Sequence, residues 1–474
     1  RVMRCFALMV PRSGTAGPPG GAPSPLAPVQ RSLVTLALHT FAQPTRYEGS
    51  AAQAAISASS GAYATLWGVR DNYAFGVTSL ERGSARLADE GECALPSALR
   101  ARAQTPEDLG GALDALAQEP VLGTLVHDPA TLFLLPAETH DAFAGAERGA
   151  TPVPVGAATA EVDAALELFA ALLPSQERET QVSAAEYLLA ASRSSSLERN
   201  PGRRMAVLVN GVVGLLGALR TAMHRGGAAR SAAGFANERV NTAVRQLAHA
   251  ALLQGDAQLR GAAGEMYGRL AAVAGSHALS AQMHFLLEQI VGNRNADARA
   301  SCALAAGQLY RLVGGLNASP LTRTVSSLLL SLARDAHPSV HYHALEALHM
   351  VVDAAGLGYQ PYVSSTLGLL VQLYAMATHE PEGGSAGSAN LRVSLPVYAS
   401  IGRVLGALLG VLGADLRERG ATRRLVHALL RQLALDHAAG AACVAEAVRA
   451  LERLALVVPE TLEHPDWART LLSL

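Results

Sequence analysis

Four histidines, His337, His341, His343 and His349, are the densest group of side chains in the chain that could ligate a metal. A single helix holds a metal through ligands at i and i+4, as in HExxH, because that spacing puts both on one face. His337 and His341 have this spacing, but no carboxylate completes the set. Asp335 precedes the helix, and Glu346 lies five residues beyond His341. His341 also takes the place held by Arg260 and Arg299 in two sister segments, so it reads as a polar repeat position. His379-Glu380 has no second histidine and runs into Pro381. Gly20-Gly21 and Gly314-Gly315 lack the Lys-Ser/Thr of a phosphate-binding loop, and no Gly-x-Ser-x-Gly elbow occurs. The chain is therefore expected to have no catalytic residue, no metal and no cofactor.

What remains is binding. The tract His379 to Asn390 (HEPEGGSAGSAN) reads as a surface loop, with His379, Glu380 and Glu382 as candidate partner-binding residues. Arg417, Arg419, Arg423 and Arg424 flank a turn at Gly420 and are the second candidate; Arg203-Arg204 is a further basic pair. Every basic residue counted is arginine, so arginine here marks a bias of composition and not a choice of bidentate chemistry. A net charge of −1 removes the electrostatic footprint of a nucleic-acid binder. Cys5, Cys93, Cys302 and Cys443 form no CxxC pair, which suits a reducing compartment. Cys302 and Cys443 stand at apolar helix positions and read as small buried hydrophobes. Asn317-Ala318-Ser319 reads as a helix-start turn before Pro320, although it has the form of a glycosylation sequon. The longest membrane-span candidate, Met205 to Leu219, is about 15 residues against the roughly 20 that spanning requires, and it carries Asn210.

The elements that must position these residues are repeats. Leu259-Arg260-Gly261-Ala262-Ala263, Ala298-Arg299-Ala300-Ser301-Cys302 and Val340-His341-Tyr342-His343-Ala344 are versions of one segment. Each opens an apolar helix after a polar turn residue, Gln254, Asn293 or Asp335. Val397 and Cys443 continue the series, one interval being lengthened by the 379–390 insertion. Spacings of roughly 40 to 47 residues with two helices per period are those of HEAT or armadillo arrays. In 320–333, Leu321, Val325, Leu328, Leu329 and Leu332 form one apolar stripe; in 338–354, Val340, Ala344, Leu348 and Val351 form another. The composition agrees: half the residues are hydrophobic, few are aromatic, and alanine and leucine favour helix. The expected fold is all-α, a HEAT/ARM-type solenoid of antiparallel helix pairs.

Residues 1–30 read as a disordered Pro/Gly-rich segment, 31–155 as a degenerate helical region with long loops, and 156–474 as the repeat solenoid. Helices are expected at Ser32 to Phe41 and Pro106 to Gln118, with Val162 to Leu173 and Thr180 to Ala191 as the first antiparallel pair. Arg203 to His224 follows as one long helix, and a last helix begins at Trp467.

Glu198 to Met223, Val244 to Leu270 and Val313 to Leu416 go beyond a generic repeat, most of all at PYVSSTLG (Pro361 to Gly368) and THEPEGG (Thr378 to Gly384). Over about 180–474 the chain resembles the large alpha-adaptin-associated HEAT-repeat family, in its fungal type, which includes the animal HEAT-repeat-containing protein five. Members are much longer solenoids that associate with the clathrin adaptor complex. The resemblance implies a portion of a longer chain, a cytoplasmic protein peripheral at trans-Golgi and endosomal membranes. Its partners would be the adaptor complex and accessory proteins, with no nucleic acid and no small-molecule substrate. Two alternatives stand beside it: a HEAT scaffold serving nuclear transport or a kinase/phosphatase assembly, and an enzyme hidden in 29–155.

Overall fold

The computed structural model describes residues 28–42, 157–194, 201–224, 234–254, 257–335, 337–378, 397–436 and 441–460, with the isolated positions Met3, Phe6, Leu26 and Trp467. The helix expected at Pro106 to Gln118, the 379–390 loop, Cys5, Cys93 and all of the last helix but Trp467 lie outside the described residues. Among those described, every regular element is helical. In order they are α1 (Gln30–Ala42), α2 (Ala157–Leu172), α3 (Arg178–Ser192), α4 (Pro201–His224), α5 (Glu238–Leu252), α6 (Ala257–Ala274) and α7 (Ser276–Gly292). There follow α8 (Ala296–Val313), α9 (Thr322–Leu332), α10 (Pro338–Ala355), α11 (Val363–Thr378), α12 (Val397–Leu412), α13 (Gly420–Leu435) and α14 (Ala441–Val457). The described residues fall into two compact units, one running to Ser280 and the other from Ala281, so the division falls within α7.

Both units are stacks of helix pairs, an α-solenoid of the HEAT/ARM kind. In unit one α1 pairs with α2, α3 with α4 and α5 with α6, while α2, α4 and α6 form the inner row. This corrects the pairing read from sequence, which joined the α2 segment to the α3 segment across Pro174-Ser175. The link Leu173–Ser175 is a 3-10 turn between repeats, held by Gln181, whose amide donates to the carbonyls of Leu173 and Pro174 at 3.1 and 3.2 Å. The true partner of α2 is α1, whose last turn is clasped by the buried Asn210 of α4 through a 2.8 Å bond to the Phe41 carbonyl. Phe41 and Phe169 meet edge to face at 5.1 Å. The two helices of this pair are separated in sequence by residues 43–156.

In unit two α9 pairs with α10, α11 with α12 and α13 with α14; α8, α10, α12 and α14 make the inner row. The two rows differ in burial. Outer helix α9 hides one face, with Val325, Leu329 and Leu332 buried and Leu321 and Leu328 half-buried. Thr322 and Ser326 join that face, and Thr322 does so at little cost because its hydroxyl bonds both Tyr310 at 2.6 Å and the Ser319 carbonyl at 2.9 Å. Inner helix α10 is buried nearly all round, from Val340 through Val352, because α8 and α12 cover opposite sides. Each such Leu or Val stabilises the fold by about 1.5–3 kcal/mol.

Local chemistry sets the helix ends. Asn295 caps α8 by accepting from the amides of Asp297 and Ala298 at 2.8 and 3.4 Å, and Asn237 caps α5 in the same way. Pro338 fits the first turn of α10, where an N–H has no helical partner. Asp335 accepts from the His337 amide at 2.8 Å, so the turn residue picked out in the sequence also organises the start of the next helix. Gly314 ends α8 at φ 89°, a conformation that side chains with a Cβ avoid. Among the described residues two stretches could cross a membrane by length and composition, Ala206–Met223 and Val397–Arg417, but 83% and 78% of them is buried inside the fold. The first of these is longer than the candidate measured from sequence.

Candidate functional site

Charge inside the stacks is concentrated in two seams, each joining consecutive inner helices. In unit one, Arg220 of α4 grips Glu265 of α6 with two bonds, Nε to Oε1 at 2.8 Å and Nη2 to Oε2 at 2.6 Å. Arg269, one turn further along α6, donates to the same Oε1 at 2.7 Å. All three side chains are buried. Burial alone would push the Glu265 carboxyl up, but the two guanidiniums outweigh it and hold it down at about 2.

In unit two the seam runs through three helices. Glu346 of α10 accepts from Ser400 Oγ at 2.6 Å and from Arg403 Nη1, both on α12. Arg403 Nε faces Glu446 Oε1 of α14 at 3.3 Å, and Arg449 reaches the same oxygen at 2.6 Å. Burial raises the Glu346 carboxyl, and the Arg403 and Ser400 contacts only partly offset it. Glu446 is raised for the same first reason, with Glu346 adding to it and Arg403 and Arg449 opposing. The Tyr342 hydroxyl is pushed well above its ordinary value by burial and then by the Glu346 charge beside it.

Sequence reasoning missed both seams, although a signal was present. Six residues beyond the aligned starts Leu259, Ala298, Val340, Val397 and Cys443 stand Glu265, Leu304, Glu346, Arg403 and Arg449. One repeat position therefore carries a charge in four of five repeats, and stepping along the alignment finds it. Nine residues beyond two of those starts stand Gly307 and Gly406. A Cβ on Gly307 would lie 2.6 Å from Ala347 Cα, and one on Gly406 would lie 3.5 Å from Ala450 Cβ. The α8–α10 seam, where Leu304 replaces the charge, is thus the most closely approached.

The histidines are dispersed. His341 is buried, its Nε2 has no hydrogen-bond partner, and burial lowers it to about 4 against a small opposing pull from Asp335. Its sister Arg299 reaches forward to Asp335 at 2.9 Å, and sister Arg260 bonds the Gln254 carbonyl at 3.0 Å. The shared position therefore ties a helix to a turn. His343 bonds the Ser339 carbonyl at 2.7 Å, and His337 is exposed at the start of α10. His349 is lowered to about 4, by burial first, with Arg403, Arg311 and Arg453 adding and Asp353 opposing. Cys302 and Cys443 are buried, and burial pushes the Cys443 thiol up to about 12.

The arginine turn is assembled as one surface, but much of its charge is engaged. Arg417 pairs with Glu460 at 2.9 Å and Arg419 with Asp415 at 3.7 Å. In the amide orientation that satisfies both groups, the Gln360 oxygen accepts from Arg419 Nη2 at 2.7 Å. Arg423 reaches the Arg417 carbonyl at 3.5 Å, whereas Arg424 is exposed with no partner among the described residues. Asp415, Glu418 and Glu460 stand among the four arginines, so the turn is far less basic than its arginines alone suggest. His379, Glu380 and Glu382 lie outside the described residues.

No protein-family model matches the chain. Among curated proteins it is similar to Protein SWEETIE of Arabidopsis thaliana, 29% identical over 168 residues, which make up 35% of this chain and 7% of that protein. The chain thus spans less than a tenth of that relative's length. Among solved structures it is similar to Kap121p, with a TM-score of 0.39 and 11% identity over 91% of this chain and 42% of that one. Importin beta gives a TM-score of 0.36 and 15% identity over 96% of this chain and 64% of that one. Likeness at this level concerns fold alone.

Proposed function

We propose that this chain is a portion of a longer, non-enzymatic HEAT-repeat scaffold that assists recruitment of a clathrin adaptor complex and vesicle sorting between the trans-Golgi network and endosomes. The scaffold half is carried by one observation: buried charges fasten α4 to α6, through Arg220 and Glu265, and α10 through α12 to α14, through Glu346, Arg403 and Glu446. Charges used in this way hold repeats in register and leave recognition to the surface. The adaptor half is supported by the sequence resemblance over about 180–474. Within its most specific stretch, Val363 and Leu367 are buried and the Thr366 hydroxyl meets Tyr359 at 2.9 Å, so those residues support the shared fold and the partner contacts lie elsewhere.

The contacts assigned to the partner are the 379–390 loop, with His379, Glu380 and Glu382, and the turn carrying Arg417, Arg419, Arg423 and Arg424. The scaffold would act in the cytoplasm, peripherally at those membranes. The test is affinity capture of the tagged chain from cells, followed by binding of the purified adaptor complex to the chain and to a variant lacking 379–390. Adaptor subunits in the capture, with weaker binding by the variant, are the expected result. Importin cargo or phosphatase subunits in place of adaptor would overturn the reading in favour of its scaffold rivals.

A further inference from the structure

The unit-two seam places two carboxylates on one fully enclosed guanidinium. Glu346, Arg403 and Glu446 are at most 5% exposed, whereas the second cation, Arg449, has half of its side chain in water. A guanidinium in water is solvated there and neutralises a buried carboxylate less completely than an enclosed one does. Arg403 offers Nη1 to Glu346, while its approach to Glu446 at 3.3 Å is the looser of the two. A second ionised carboxylate in this space is poorly compensated, and like charges sharing one counter-ion favour uptake of a proton.

We propose that the Glu346–Arg403–Glu446 seam is a proton-binding site: in folded unit two the carboxylate pair binds one proton, and filling that site on mild acidification strengthens the α10–α12–α14 stack. The proposal is independent of the trafficking reading. The groups facing the site are Tyr342 and His349 on α10, Ser400 on α12, and Cys443 and Arg449 on α14; Arg311 of α8, Asp353 of α10, Arg453 of α14 and Asp436 after α13 lie further out. His341 and His349 work in the opposite direction. Held neutral by burial, they cost stability as pH falls from 6.5 toward 4. A difference between parent and variant cancels them, because both proteins carry both histidines.

The experiment is urea unfolding of the full chain with Trp67→Phe, so that Trp467, which is buried and bonded to His427 of α13 at 3.0 Å, reports on unit two alone. Midpoints are compared for this parent and for its Glu346→Gln and Glu446→Gln variants from about pH 8 down to about pH 5, above the ordinary carboxylate value of about 4.3. Each glutamine variant should match or exceed the parent at the alkaline end and lose that advantage at the acid end. The folded-to-unfolded ratio of parent relative to variant should rise by up to about tenfold per pH unit, the limit for one proton. A parent that leads both variants at the alkaline end by a margin that shrinks with acid overturns the proposal, as does a margin independent of pH. Should Glu346→Gln fail to fold, the infrared difference between parent and Glu446→Gln at the acid end of that range decides instead. A carboxylic-acid stretch lost in the variant is the expected result, and no such band in the parent is the contrary one.

Discussion

In unit one a single carboxylate, Glu265, sits between two guanidiniums, whereas in unit two a single guanidinium, Arg403, sits between two carboxylates. The same task, fastening one inner helix to the next, is done with opposite polarity. Removing the group at the centre of each seam takes the shared counter-ion from two like charges at once, although Glu446 keeps the half-exposed Arg449. The groups at the ends are dispensable to the extent that the centre keeps another partner. The polarity also sets opposite responses to acid. Glu265 is stabilised as an anion, while Glu346 and Glu446 are both shifted toward the neutral form.

The largest effect follows from removing a centre. Arg403→Met leaves Glu346 and Glu446 buried without their shared cation and should cost about 3–5 kcal/mol. Arg220→Met in unit one removes an end, leaves Arg269 on Glu265, and should cost less than half of that. Urea midpoints with the corresponding slopes measure both, and equal losses would break the distinction between centre and end.

Acid separates the seams next. The Glu265 carboxyl is held at about 2 against an ordinary 4.5, so its contribution is complete above that ordinary value and disappears as pH falls toward 2. This amounts to about 3 kcal/mol. The stability gap between parent and Glu265→Gln should therefore be constant down to about pH 5 and close below it. A gap that opens on acidification would reverse the assigned sign. His249 adds a loss of its own in the same unit as pH falls from 6.5 toward 4, being lowered to about 4 by burial and then by Arg245.

The third contrast sets the charged seams against the uncharged one. Gly307→Ala forces a methyl against the backbone of Ala347 and should cost about 1–3 kcal/mol. Gly406→Ala, at the same repeat position, meets only ordinary contact with Ala450 and should be neutral or stabilising by about 0.5–1 kcal/mol. Thermal unfolding of the two variants reads the difference. Similar values would mean that the α8–α10 seam is no tighter than α12–α14.

The phase of the repeats could be read in the sequence because apolar spacing and turn residues are local. Asn295, Asp335 and Pro338 act within a few residues of where they stand. The role of His341 as a repeat position was equally legible through Arg260 and Arg299. Pairing was not. Arg220 and Glu265 are 45 residues apart, Glu346 and Arg403 57, and nothing local tells one buried charge which other it meets. The misassigned partner of α2 has a related cause, since α1 lies beyond a long stretch of sequence and is disclosed by contacts such as Asn210–Phe41 and Phe41–Phe169, which join residues far apart in the chain. The four arginines stand around the start of α13, with Arg423 and Arg424 inside that helix, and the carboxylate neighbour Glu460 belongs to a segment that spacing could not place beside them.

The claim that seam polarity decides which charge is indispensable is tested most directly by Glu265→Gln and Glu446→Gln, measured side by side in urea at neutral pH. Glu265→Gln should lose about 3 kcal/mol or more, because two buried guanidiniums lose the anion they share. Glu446→Gln should lose less than about 1 kcal/mol or gain stability, because Arg403 keeps Glu346. Equal losses at the two positions would contradict the account.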